Sequence, residues 1–504
     1  MLAATYRVTL TILFTAAACL SVYALLINLN GPVLDAFGFR QTQTAISTFY
    51  LMRGSSIFSY ETPVLGYPWS IPFEFPIYQL ITAGLSKLFG HLDATGRLVS
   101  YAFFLLCAYP IAKIYTIYRV PQNTFIITLI LTLASPLYIL YSRAFLIETT
   151  ALFFSLMWIW LFCLTLQGCR SRTLLLCIGF GTLAVLTKST TFLSATIFAA
   201  VMMAPPILRL IGQGSYLQTV RRLFFTGIVT LLPIAIGYGW VIWTDEVKEL
   251  NLFASYLTST NLRAWNFGFS GQRISLEFWS TISTRIPIDL FGHVSLAALI
   301  PIGLGIALKP TRLLSIAAMV TVLGTLLLFP NLHFVHSYYQ TSIGVFAIIA
   351  CSLGIAATFE RASRPLALVM LVAIGSSQLY FSYKHTLVII RNDQRNHQYY
   401  MIAQITKANT QPNDGIVVFG SDWSSEIPYY AERRAIAVPG WISDDQLVRL
   451  AGGQSDLLDG LHIGGVIICM PVGRPAMQAA ANQLIASMSL KGEAAPCKMY
   501  APAK

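Results

Sequence analysis

Hydrophobic positions in this chain come in long unbroken blocks rather than in the alternating or 3.6-residue patterns of a water-soluble fold. Apolar stretches cover residues 8–27, 98–117, 123–141, 149–167, 173–187, 190–208, 223–243, 291–308, 312–329, 338–358 and 365–382. Most match the ~20 residues that a helix rising ~1.5 Å per residue needs to cross a hydrocarbon core ~30 Å thick. Longer polar segments occupy 28–97, 244–290 and 383–504. The pattern predicts an α-helical polytopic membrane protein with about eleven transmembrane helices.

The last segment changes character. Short apolar runs at 416–419, 435–438 and 465–470 have strand length and are separated by helical patterns, one opening with the capping box Ser443-x-x-Gln446. Pro412-Asn413-Asp414-Gly415 supplies a turn before the first run. The expectation is a small C-terminal α/β domain over 386–504, after a membrane module over 1–385 that carries the segments 28–97 and 244–290. Gly420-Ser421-Asp422, after the first run, is either a ligand loop or an ordinary strand-to-helix turn.

Composition removes the soluble alternatives: 56% of the 504 residues are hydrophobic and 11% charged. The net charge of +12 follows topology rather than a nucleic-acid partner. One set of short connections carries Arg7, Lys113, Arg119, Arg170, Arg172, Arg209, Arg221, Arg222, Lys309, Arg312, Arg361 and Arg364. The alternate connections, 142–148, 187–190 and 330–338, hold only Arg143 and Lys188. The positive-inside rule places the first set in the cytoplasm, so the amino terminus is inside an inner (plasma) membrane and the long polar segments face out. The first stretch lacks a small-x-small cleavage pattern and reads as a retained anchor. Inner loops this short leave no room for a domain binding a soluble nucleotide-sugar or ATP. Cys19, Cys107, Cys163, Cys169, Cys177 and Cys351 lie in or beside apolar spans without a CxxC pair and read as packing residues. Cys469 and Cys497 can bridge if the tail is outside.

Candidate chemistry gathers at the outer face. Asp35 stands just beyond the first span, where a carboxylate can take a proton from a hydroxyl; a solvated loop acid is the alternative. Lys188 and Arg143 break the charge rule at outer corners, where a cation either holds a lipid phosphate or snorkels, or pairs with Glu148 in the case of Arg143. His333 and His336 are three residues apart at an outer helix start, a spacing open to a metal, to hydrogen bonds with phosphate or sugar, or to capping. Trp69, Trp265, Trp279 and Tyr338 could stack on sugar rings, but an interfacial aromatic belt predicts the same composition and is the simpler reading of each.

Taken in order, Asp35, the runs Arg40-Gln41-Thr42-Gln43-Thr44-Ala45 and Glu74-Phe75-Pro76-Ile77-Tyr78-Gln79, Gly96-Arg97-Leu98, Ser142-Arg143 with Glu148, Thr187-Lys188, and His333-x-x-His336-x-Tyr338-Tyr339 form a sequence-wide set. This set resembles the GT-C superfamily of polytopic glycosyltransferases, in the branch of the protein O-mannosyltransferases and the aminoarabinose–lipid A transferases. It spans about residues 1–385. Residue 36 is alanine, where the mannosyltransferases continue with a second acid. The resemblance implies an inverting enzyme that moves a sugar from a polyprenyl-phosphate donor to an acceptor hydroxyl on a glycan, glycolipid or protein at the outer face. It implies Asp35 as base, with Glu74 and Glu148 as fallbacks, and Lys188, Arg143 and Arg97 around the donor phosphate. Arg40, Gln41, Gln43, Tyr78, His333, His336, Tyr338 and Tyr339 are then substrate-binding candidates. The resemblance fixes no cofactor and leaves a divalent metal open. The competing classes are a flippase or transporter of a lipid-linked saccharide and an oligosaccharide polymerase or ligase. A transporter would concentrate charge near the bilayer midplane and show two related halves, which this sequence does not.

Overall fold

The computed structural model describes residues 2–168, 170–309, 311–453 and 455–503, so Cys169 lies outside the described residues. It is mostly helical, and two compact units emerge. The first unit comprises Met1–Ile27, Arg97–Gly239 and Arg263–Arg391; the second comprises Asn28–Gly96, Trp240–Leu262 and Asn392–Lys504.

Eight helices among the described residues are long and apolar enough to cross a membrane. Three shorter apolar helices, Asn123–Ala134, Ser171–Thr187 and Arg312–Leu328, fall on further stretches where the sequence predicts spans. The chain is a multi-pass membrane protein. Boundaries move where polar residues cap or extend an apolar run. The stretch expected at 223–243 is the helix Tyr216–Glu249. The stretch expected to begin at 291 starts at Leu276, because Ser275 caps the helix by accepting from Phe278 N at 3.0 Å. Residues 276–290 therefore belong to a membrane-length segment, Leu276–Ala307, and not to an outer loop.

The helix Thr341–Arg361 is buried along almost its whole length, which identifies it as the centre of the first unit's bundle. Its small residues Gly344, Ala347, Ala350, Gly354 and Ala357 recur at three- and four-residue spacing and let neighbouring backbones approach. At Gly354 a methyl group would lie 1.6 Å from the Pro301 carbonyl oxygen.

In the second unit the segment 28–97 is not the polar loop that its prolines suggest. It folds into the helices Gly38–Met52 and Ile77–Phe89 and the start of Leu92–Leu106. The carboxy-terminal sheet has five strands rather than three: β1 (Gly415–Phe419), β2 (Arg434–Ala437), β3 (Ile463–Cys469), β4 (Met488–Ala494) and β5 (Cys497–Pro502). Their order is β2-β1-β3-β5-β4, with β2, β1 and β3 parallel and β5 and β4 antiparallel. The parallel strands are buried almost throughout, which is why they read as continuous apolar runs. β4 carries Lys491, Gly492 and Glu493 and offers no such run. The expected capping box forms, Ser443 accepting from Gln446 N and Gln446 from Ser443 N. Cys469 and Cys497 are bridged between paired positions of β3 and β5. The exposed edge of β2 is covered by residues 63–66, through Ala435 N to Pro63 O at 3.0 Å and Gly66 N to Ala435 O at 3.0 Å.

Gly354→Ala should destabilise the bundle by about 1–3 kcal/mol, since the facing group is backbone and must move. A thermal unfolding scan in detergent checks this; an unchanged midpoint would show that the helix contact is looser than described.

Candidate functional site

Chemistry-bearing side chains form one cluster inside each unit. In the second unit, Phe37 adopts a left-handed conformation (φ 52°, ψ 51°) that ends the outgoing chain and starts the helix Gly38–Met52. The turn folds Asp35 back on this helix, and its Oδ1 accepts from Ala36 N at 2.9 Å and from Gln41 Nε2 at 2.8 Å. Gln41 is fully buried and also donates to Ala36 O at 2.7 Å. One oxygen of the Asp35 carboxylate is thus held by two N–H donors, on a residue only half-buried.

On the same helix Arg40 Nη2 pairs with Glu74 Oε1 at 2.7 Å, and its Nη1 donates to Gln43 Oε1. Glu74 is therefore the partner of a guanidinium. Tyr78 is fully buried and donates to Gly96 O at 2.7 Å, a contact that ties the helix Ile77–Phe89 to the next segment.

In the first unit Lys188 is the single residue between the helices Ser171–Thr187 and Ser189–Gly212, with extended backbone (φ −164°, ψ 103°). Its Nζ pairs with Glu148 Oε1 at 2.7 Å and lies 4.1 Å from the Tyr339 ring centroid and 5.2 Å from that of Tyr338. Both Lys188 and Glu148 are buried. Glu148 opens the helix Glu148–Gln167, where the macrodipole favours an anion, and its Oε2 has no hydrogen-bond partner among the described residues. The sequence leaves Glu148 open to pairing with Arg143, but it pairs with Lys188. Arg143 Nη2 donates instead to Ile27 O at 2.9 Å, and Arg143 and Arg97 are almost completely buried.

His333 ends up buried, and burial pushes its imidazole down to about 3, with the charges of Lys188 and Arg285 acting in the same direction. It is neutral at physiological pH, and its Nδ1 has no partner among the described residues. His336 stacks on Tyr338 (centroids 5.2 Å, 17°), and Tyr338 stacks on Tyr339 (4.7 Å, 30°). Among the described residues no group of three or more His, Cys, Asp or Glu is placed to hold a metal ion.

Three members of this unit, Arg285, Asp289 and Gln340, went unnoticed in the sequence. Arg285 donates to the carbonyls of His333 and Phe334, the latter at 2.9 Å. With its amide turned to suit its neighbours, Gln340 donates to Asp289 Oδ2 at 3.1 Å and accepts from Arg285 Nε at 2.9 Å. The available signal was an arginine and an aspartate four residues apart on a membrane-length helix, where charges are rare. The Gly420-Ser421-Asp422 motif behaves as a turn: a methyl at Gly420 (φ 82°) would lie 1.8 Å from Cys469 O, and Asp422 Oδ1 accepts from Gly440 N at 2.9 Å.

Neither a family model nor a curated protein sequence matches the chain. Solved structures do. ArnT from Cupriavidus metallidurans, solved bound to undecaprenyl phosphate, has a TM-score of 0.66 at 12% identity, over 97% of both chains. AglB, the archaeal oligosaccharyltransferase from Archaeoglobus fulgidus, solved with an inhibitory peptide and a dolichol-phosphate, has a TM-score of 0.56 at 12% identity over 95% of this chain and 72% of its own. The chain has a GT-C fold. The arabinofuranosyltransferase AftD from Mycobacteria shares it at a TM-score of 0.53 and 14% identity; this chain spans 40% of AftD's length. The GT-C expectation drawn from the outer motifs is thus met at the level of fold, while at such identities side-chain roles rest on this chain's own geometry.

His333 is depressed in the fold, so the unfolded chain binds a proton below the ordinary value near ~6.5 that the folded chain refuses. Its contribution to stability is therefore full above about 6.5 and lost as pH falls toward about 3. The thermal midpoint should drop over that window, and His333→Gln should flatten the slope; equal slopes would place the titrating group elsewhere.

Proposed function

We propose that this chain transfers a sugar from a polyprenyl-phosphate donor to an acceptor hydroxyl at the outer face of the membrane, with inversion at the anomeric carbon. The observation that carries the reading is a lysine buried at a break between two apolar helices of a GT-C fold, paired to a glutamate and walled by two tyrosines. Neighbours solved with undecaprenyl phosphate and dolichol-phosphate support the donor class.

The proposal assigns one role inside each unit. Asp35, oriented through one oxygen by Gln41 and Ala36 N, takes the proton of the acceptor hydroxyl as that oxygen attacks the anomeric carbon. The bond from that carbon to the phosphate oxygen breaks, and the phosphate leaves with the electron pair. Lys188 meets the added negative charge, with Arg97 and Arg143 as further positive charge in the same unit. Glu148 keeps Lys188 in place before the donor arrives, and Glu74 keeps Arg40 in place. Divalent-metal dependence is read directly by activity after chelation. The topology proposed with this reading has eleven spans, a cytoplasmic amino terminus and the sheet domain outside. The Cys469–Cys497 bridge supports it, because disulfides persist in oxidising compartments.

Asp35→Asn keeps the accepting oxygen but loses basicity, and should lower kcat by about 10²–10⁴-fold with donor binding preserved. Full turnover in that variant, with a dead Glu74→Gln or Glu148→Gln, would move the base. Lys188→Ala alone strands a buried Glu148, which costs about 3–5 kcal/mol, so the donor site is tested with Lys188→Met combined with Glu148→Gln. The double variant should fold and lose donor affinity; wild-type affinity would remove Lys188 from the phosphate site.

Compartment reporters fused after Ala362 and after Asn396, on either side of the span Arg364–Arg391, should report opposite sides, with the second outside. Agreement between them would sink the topology.

A further inference from the structure

A cavity of about 360 Å³ opens inside the second unit, within the lower part of the ~300–1,000 Å³ range of small-molecule sites, and its walls include neither Asp35, Arg40 nor Glu74. Tyr400, Tyr429 and Tyr430 line it, with Tyr430 edge-on to both others (5.0 and 4.7 Å between centroids). Asp93 holds two of these rings in place: the Tyr429 and Tyr430 hydroxyls donate to its Oδ1 and Oδ2 at 2.5 and 3.0 Å. Arg395, also in the wall, is more than half exposed, and among the described residues its guanidinium has only a long 3.8 Å pair with Asp393. Fixed aromatic rings, a carboxylate and a guanidinium are the groups that recognise a pyranose bearing an acidic substituent.

The surroundings of the cavity narrow the ligand further. Its wall includes His91 and Leu92, where the membrane-length segment Leu92–Ile117 begins, and Asn30 and Pro32, just after the span Thr5–Leu26 ends. Immediately before this wall, Leu88 and Phe89 are 78% and 65% exposed. A polar, aromatic cavity whose wall follows directly in sequence on two exposed apolar residues, next to the ends of membrane-length helices, suits an amphiphile, with sugar in the cavity and hydrocarbon on Leu88 and Phe89.

We propose that this cavity binds the saccharide headgroup of a membrane-anchored glycolipid, with preference for an acidic sugar. On the transfer reading above, such a molecule is a lipid-anchored acceptor, and that clause alone rests on the reading.

The test is equilibrium binding by saturation-transfer NMR to the full chain in phospholipid nanodiscs. The probes are octyl β-glucuronide, octyl β-glucoside, methyl β-glucoside and octyl phosphate. The octyl glycosides should bind saturably, the glucuronide more tightly than the glucoside. Tyr400→Ala should weaken both about tenfold, and Tyr400→Phe should not. Arg395→Gln, an exposed change that leaves the fold intact, should abolish the preference for the glucuronide. Leu88→Gln with Phe89→Gln should weaken the octyl glycosides and leave methyl β-glucoside unchanged. No saturable glycoside binding, binding indifferent to Tyr400→Ala, or octyl phosphate binding as tightly as the glycosides would each overturn the proposal. The readout is binding, so failure of the transfer reading would leave these outcomes as they are.

Discussion

A bilayer core offers no water to an unpaired peptide group, so the membrane part of this chain is helical and can interrupt its helices only where the broken backbone is re-satisfied. Lys188 shows how this is done. Its N–H still donates to Ala184 O at 2.9 Å and its carbonyl still accepts from Phe192 N at 3.2 Å, although its own φ and ψ are extended. The peptide groups of Lys188 itself thus stay paired where one helix ends and the next begins. His336 (φ −126°, ψ 120°) makes a second such break, between Pro330–Val335 and the segment Ser337–Arg361, and brings its ring onto Tyr338. The first unit's candidate chemistry thus gathers where the helical backbone is interrupted.

Charge at these breaks needs a partner. Lys188 terminates one helix and precedes another, so the two macrodipoles act on it in opposite senses and contribute little net. Glu148 decides its position. A buried ion pair of this kind is weak evidence for stability, because desolvation offsets much of the attraction. On the function proposed above, it holds a cation ready for an anion, a role that hydrophobic residues of equal volume cannot fill. The neutral His333 and the faces of Tyr338 and Tyr339 complete the lining without adding further charge.

The second unit solves a different problem, the ordering of polar chain outside the hydrocarbon. Asn251 is fully buried and donates to the carbonyls of Leu65, Gly66 and Pro68 while accepting from Phe253 N and Ala254 N. One amide thereby fastens two distant stretches of chain together. Residues 63–66 then close the open edge of β2, so this segment completes the sheet domain rather than hanging beside it.

Uninterrupted apolar blocks determined by themselves that the chain is a multi-pass helical membrane protein, because bilayer thickness converts block length directly into spans. The parallel strands β1 to β3 and the Ser443–Gln446 capping box were legible for a similar reason, being local patterns of apolar runs and short-range hydrogen bonds. Asp35 and Lys188 stood out because each is a charge at the end of an apolar stretch. Tertiary structure alone decided that Glu148 belongs to Lys188, that Glu74 belongs to Arg40, that Arg285 and Asp289 join the first cluster, and that β4 completes the sheet. Those outcomes depend on which helices and strands become neighbours. Sequence spacing reports neighbours along one helix or one strand, while pairing across tens or hundreds of residues is set by packing of the whole chain.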